Sequence, residues 1–320
     1  MPVLTSPDVL PEAMRYITRV LLAQGGTTPK SELHRIIAPS GLQGAFQGSE
    51  QSEPGNKPGQ IIVTNTLTAM ASIGLVTYGR GDDADVTLVE EFADRLPKWD
   101  RLDDAAFASF FAQEAIDDRN LETESEDNRD ADGSERGDGA ADLVHALAML
   151  MWMPDPLDPL VFPAGSGRKS LQDFQTKTLG PDIDDWILRN DVRFPNFVRW
   201  VTYLGFGRLD PGGALVADAS RGMAAFITEA VGNGGPVAEC IDRLGTLLPF
   251  TDRGSIGMAV REIVQPKYPP TDLSPGLSMA WMILARQGLI TLALKDDASS
   301  LGFRIGPEQT VRYSHVEMAS

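Results

Sequence analysis

The segment RFPNFVRWVTYLG, residues 193–205, interleaves basic, amide and aromatic side chains at helical spacing. At 100° per residue, Phe194, Phe197, Val198, Val201 and Leu204 share one face; Asn196, Arg199 and Tyr203 gather opposite, with Arg193 and Trp200 at the margin. Such a face suits phosphate contact, base-edge hydrogen bonding and stacking. A second candidate is the helix around residues 60–72. It turns Val63, Thr66, Leu67, Met70 and Ile73 one way and the polar, uncharged Gln60, Thr64, Asn65, Thr68 and Ser72 the other. Lys57 precedes this helix and Arg80 follows it in a glycine-rich turn, where a cation meets phosphate. Asp82, Asp83 and Asp85 lie beside Arg80 and oppose DNA. Arg168 and Lys169, next to a helix start, form a smaller phosphate site. Each set also reads as the solvated outside of a core helix or loop, with snorkelling arginines.

Enzymatic constellations fail on spacing. PAGSGRKS, residues 163–170, lacks the upstream glycine of a phosphate loop, and Arg168 separates Gly167 from Lys169. Asp182, Asp184 and Asp185 attract cations but have no second cluster to complete a nuclease site, and acids are favoured at helix starts anyway. GxSxG, HExxH and CxxC are missing, Cys240 is the single cysteine, and His34, His145 and His315 are widely separated. Disulfide scaffolds and zinc fingers are excluded, and the expectation is a protein with no enzyme activity, cofactor or metal.

The elements that position these residues recur. An amphipathic helix, a terminating glycine, a short apolar strand, a polar turn and a second strand appear at residues 64–88, 196–217 and 276–305, with Gly74, Gly205 and Gly288 in equivalent places. The third copy reads LITLAL, KDDASS, LGFRI as its hairpin. Upstream of each there is room for two more helices: 11–22 and 29–37, 141–151 and 171 onward, 237–248 and 254–264. Helix, helix, helix, hairpin is the winged-helix order, with a generic helical bundle carrying hairpins as the alternative. The expected fold is mainly α with small β-hairpins (α+β). Winged-helix units span residues 1–100, 141–232 and 233–320, and residues 101–140 hold a helix and an acidic linker. The 39–58 insertion, rich in Gly, Gln and Ser, departs from a compact helix-turn-helix. The third unit's helix differs. Leu277, Ala280, Trp281 and Leu284 face its core, yet Met279, Met282 and Ile283 present a second apolar side, which fits a protein partner better than DNA.

The net charge of −17 over 320 residues is unevenly distributed. Residues 1–80 carry +1, residues 81–142 carry −15 and residues 143–320 carry −3. The block 121–141, LETESEDNRDADGSERGDGAA, has too few large apolar residues to offset the entropy of ordering, and reads as a solvated tether or a decoy for a basic surface. The apolar stretch 143–153 is about half the ~20 residues a membrane crossing needs. The opening MPVLTSPDVLPEAM has no signal-like core, so a cytoplasmic location is expected.

The opening LPEAMRYITRVLLAQGG and the Arg-Trp…Leu-Gly-Phe-Gly segment from Arg199 to Gly207 resemble the DpdG family of bacterial clusters that place 7-deazaguanine derivatives in DNA and restrict unmodified DNA. The resemblance implies a non-catalytic member of a phage-defence complex beside helicase or nuclease subunits, and transfers no functional residue. The expected function is therefore a DNA-binding adaptor, docking on duplex, with a purely protein–protein assembly subunit as the alternative.

Overall fold

The computed structural model describes residues 3–39, 58–79, 81, 83–114, 140–160, 170–180, 182, 187–188, 192–295, 298–306 and 309–319. It is mixed α/β, helix-rich with small antiparallel sheets. Met1–Phe111 lie in one compact unit and Leu143–Ser320 in another.

The first unit begins with α1 (Pro11–Ala23), whose Met14, Ile17 and Leu21 are fully buried. It continues through β1 (Thr27–Pro29), α2 (Lys30–Ile37), α3 (Pro58–Ser72), β2 (Val76–Tyr78) and β3 (Asp85–Leu88). β3 pairs antiparallel with both β1 and β2, giving the strand order β1-β3-β2. The apolar stripe of α3 (Val63, Leu67, Met70, Ile73, with Thr66) is buried as its spacing requires. Gly74 stops the helix at φ 74°, a conformation that would strain a side chain. Then follow α4 (Glu90–Arg95), a 3₁₀ turn (Trp99–Arg101) lying along α1, and α5 (Asp104–Glu114).

The second unit holds two modules of the same order. α6 (Ala141–Met151) leads to Leu160, then α7 (Ser170–Leu179), α8 (Arg193–Leu204), β4 (Arg208–Leu209) and β5 (Leu215–Val216). Leu160 exchanges both backbone hydrogen bonds with Leu215, at 2.7 and 2.9 Å, and β5 pairs with β4. A one-residue strand thus takes the place that β1 has in the first module. α9 (Ser220–Ala224) and α10 (Ile227–Val231) follow. α10 packs on the next helix and so supplies the first helix of the third module. That module runs β6 (Gly235–Pro236), α11 (Val237–Leu247), α12 (Ser255–Val264), α13 (Pro275–Arg286), β7 (Ile290–Ala293), β8 (Leu301–Arg304), β9 (Thr310–Tyr313) and β10 (His315–Met318).

The third hairpin is not the one expected. β7 pairs with β10, from His315↔Ala293 to Met318↔Ile290, and β10 also pairs with β6. LGFRI instead forms β8, which pairs with β9 as a separate ribbon. The order β6-β10-β7 matches β1-β3-β2 once β8 and β9 are taken as an insertion between the hairpin strands. Physically, β10 is the strand that buries Val316 against the module's core. β8 buries Leu301 and Phe303, and its backbone joins the loop before α13, where Leu273 N donates to Gly302 O at 2.8 Å and Gly302 N to Thr271 O at 2.9 Å.

The start of α13 is held closely within its own unit. A Cβ on Gly276 would lie 2.8 Å from the Met151 Cα, so the helix start is pressed onto the end of α6, and α9 packs along α13. Met279, Met282 and Ile283 are half-buried.

Candidate nucleic-acid interface

On α3 the polar face is largely committed within its own unit. Asn65 Nδ2 donates to Ser6 Oγ and to Asp8 Oδ2, both at 3.2 Å, and Thr66 Oγ1 donates to Asp8 O at 3.4 Å. Thr68 Oγ1 donates to Thr64 O and lies 3.2 Å from the Tyr78 hydroxyl of β2. Lys30 Nζ stands 5.9 Å from the Tyr78 ring. Gln60 and Thr64 are half-buried. Asp8 also brings a carboxylate to this face, which repels phosphate. Lys57, Arg80, Arg168 and Lys169 lie outside the described residues.

On α8 the expected stripe is buried at Phe194, Phe197, Val201 and Leu204, while Val198 is half-buried. Two outward assignments differ from the structure. Asn196 is 1% exposed and Trp200 is fully buried, so neither offers an edge or a ring to a ligand. Asn196 Oδ1 instead accepts from Arg199 Nη1 at 3.4 Å, a long bond that leans the exposed guanidinium along the helix. Arg193 donates to Ile187 O at 3.3 Å, and Tyr203 is half-buried.

The surroundings add two cations that the linear reading missed. Arg208, on β4, is exposed and pairs with Asp218 at 3.2 Å. Arg221, on α9, donates to Thr202 O and, at 3.4 Å, to Tyr203 O, the bare carbonyl end of α8, where positive charge is favoured. Its placement depends on glycine. Gly222 N donates to Gly205 O at 2.8 Å, and a Cβ on Gly222 would sit 2.5 Å from the Phe206 ring. Gly205 ends α8 at φ 83°. The helix, its hairpin and the start of α9 therefore carry four arginines, Arg193, Arg199, Arg208 and Arg221.

A family model described as DpdG-like matches residues 1–298, from before α1 to beyond β7. The chain belongs to the DpdG-like family. That membership implies a component of a 7-deazaguanine modification system working in a complex with its other proteins, in a phage-defence context. No curated protein and no solved structure matches the chain. Among the described residues of this DpdG-like protein, no group of three or more His, Cys, Asp or Glu is arranged to hold a metal ion. No described helix is long and apolar enough to cross a membrane.

Proposed function

We propose that this DpdG-like protein is a non-catalytic DNA-binding adaptor built from three winged helices, with the second module as its DNA-reading head and α13 as a partner-facing element. The winged-helix reading rests on the shared order of elements and on the strand that precedes the second helix pairing with the last strand of each module. The DNA reading rests on one observation above all: the four arginines around α8 and its hairpin, where a winged helix meets groove and backbone. Arg208 is held in place by its pairing with Asp218 at 3.2 Å. Duplex is the proposed substrate, contacted chiefly through phosphates, because Asn196 is withdrawn from the surface.

Affinity for a short duplex, measured at several salt concentrations on the wild type and on R193A/R199A, tests this. Loss of two phosphate contacts is expected to flatten the log–log salt slope by about two units and weaken binding across all sequences alike. Unchanged affinity and slope would reject the reading. One observation favours a second role, protein–protein assembly without DNA contact: the polar groups of α3 are already bonded to Ser6, Asp8 and Tyr78. On that reading R193A/R199A leaves the modification-system complex functional, whereas Met279→Asp breaks co-purification with its other proteins.

A further inference from the structure

The second compact unit contains a cavity of about 750 Å³, within the size range of small-molecule sites. Its walls come from the loop after α6, one side of α7, the connection between α12 and α13, and the end of β8. Four side chains form a continuous column at this place. The Arg261 guanidinium lies 5.5 Å from the Trp152 ring centre, Trp152 and Tyr268 stack 17° from parallel at 6.3 Å, and Arg304 covers Tyr268 at 4.1 Å. Arg304, Tyr268 and Trp152 all line the cavity. The buried Trp152 indole N–H has no acceptor among the described residues. A column of alternating cations and π-faces gains a further layer from a planar heteroaromatic ring, since guanidinium planes stack bases as aromatic rings do.

The rim is chemically mixed. Lys177 on α7 and Lys267 on the opposite loop are exposed and have no ion-pair partner among the described residues. Asp158, half-buried, and Asp173, exposed, line the same cavity. Ammonium groups on two walls bind a phosphate between them, while carboxylates accept from ring N–H, amino and sugar hydroxyl groups. One ligand class carries a stacking ring, hydrogen-bond donors and an anion together. We infer that this cavity is a nucleotide-binding site, taking one base with its phosphate. The source is either a free mononucleotide or an unpaired nucleotide of a strand. The site is independent of the arginine face on α8.

Quenching of intrinsic tryptophan fluorescence in the full chain reads binding directly, with saturation-transfer NMR to report base protons in contact. The probes are the monophosphates of the four common bases, inorganic phosphate alone, and a five-residue single-stranded oligodeoxynucleotide. Saturable binding of a monophosphate is expected, with phosphate alone at least about 10-fold weaker, and K177A/K267A should weaken it roughly 10- to 100-fold without changing the melting temperature. Binding of monophosphates but not of the oligonucleotide identifies the free nucleotide as the source; binding of both, each sensitive to K177A/K267A, identifies the strand. The inference is overturned if neither probe binds saturably up to millimolar concentration, if phosphate binds as well as the nucleotides, or if K177A/K267A leaves affinity unchanged. R193A/R199A leaves monophosphate binding intact, so failure here and failure of the DNA-adaptor reading are told apart.

Discussion

Asp252 lies at the start of α13, fully enclosed, with its two oxygens accepting from Ser274 N and Ser274 Oγ at 2.5 Å each. Ser274 in turn caps the helix by accepting from Leu277 N. Burial pushes the Asp252 carboxyl up to about 6, against the pull of both Ser274 bonds and of nearby Arg261 and Arg253. The folded protein therefore binds this proton more tightly than the unfolded chain does. Stability from this group is fully present below the unfolded value near 4 and is lost as pH rises through about 6. Two pH units of difference correspond to roughly 3 kcal/mol. Urea unfolding at pH 4 and pH 7 is expected to show this decline, and Asp252→Asn, which keeps an acceptor but does not titrate, should remove most of it. A decline of the same size in the Asn variant would assign the pH dependence to other groups.

Among the elements, contacts at glycine decide how α8 and α13 are held. Gly222 has no room for a Cβ against the Phe206 ring, which is itself wedged edge-on against Phe250 at 4.8 Å. Gly276 is equally tight against the Met151 backbone. Gly222→Ala and Gly276→Ala are each expected to cost about 1–3 kcal/mol by overpacking, read as a lower urea midpoint. Gly222→Ala should also weaken DNA binding, because Arg221 moves with it; an unperturbed midpoint would show that α8 and α9 slide apart freely. The helices and the glycine stops were legible in the sequence, since burial at a period of 3.6 is a local signal and Gly74, Gly205 and Gly288 all adopt the left-handed conformation. The third hairpin was not. Sequence reasoning joins neighbouring strands, and nothing local in HVEM says that it returns past β8 and β9 to pair with β7. Leu160 is too short a strand to read at all. For the candidate site, the helical wheel located Arg193 and Arg199 but turned Asn196 and Trp200 outward, because tertiary covering of the first turns leaves no periodic trace. Arg221 was missed for a related reason: its nearness to α8 is set by the Gly205–Gly222 approach, a contact between elements.

For the molecule as a whole, charge distribution matters more than net charge. The −17 total comes almost entirely from residues 81–142 at −15, so residues 1–80 and 143–320 are close to neutral on their own. A face of four arginines is thus set in a nearly neutral part of the chain and is linked covalently to a dense run of acids. Acids joined by chain compete with DNA phosphate at an effective concentration far above that of free polyanion, and within about a Debye length, near 8 Å at physiological salt, their repulsion also reaches incoming duplex. On the DNA-adaptor reading proposed above, both effects would lower non-specific affinity more than any contact specific to one site, a division of labour that favours release from bulk DNA. Deleting residues 121–141 removes six more Glu and Asp than Lys and Arg, and is expected to raise non-specific duplex affinity at low salt while leaving R193A/R199A still weaker than its own parent. Filter binding or fluorescence anisotropy on random-sequence duplex, at two salt concentrations for the full chain and the deletion, measures this. Equal affinity of the two at low salt would mean that the acidic run does not oppose the arginine face.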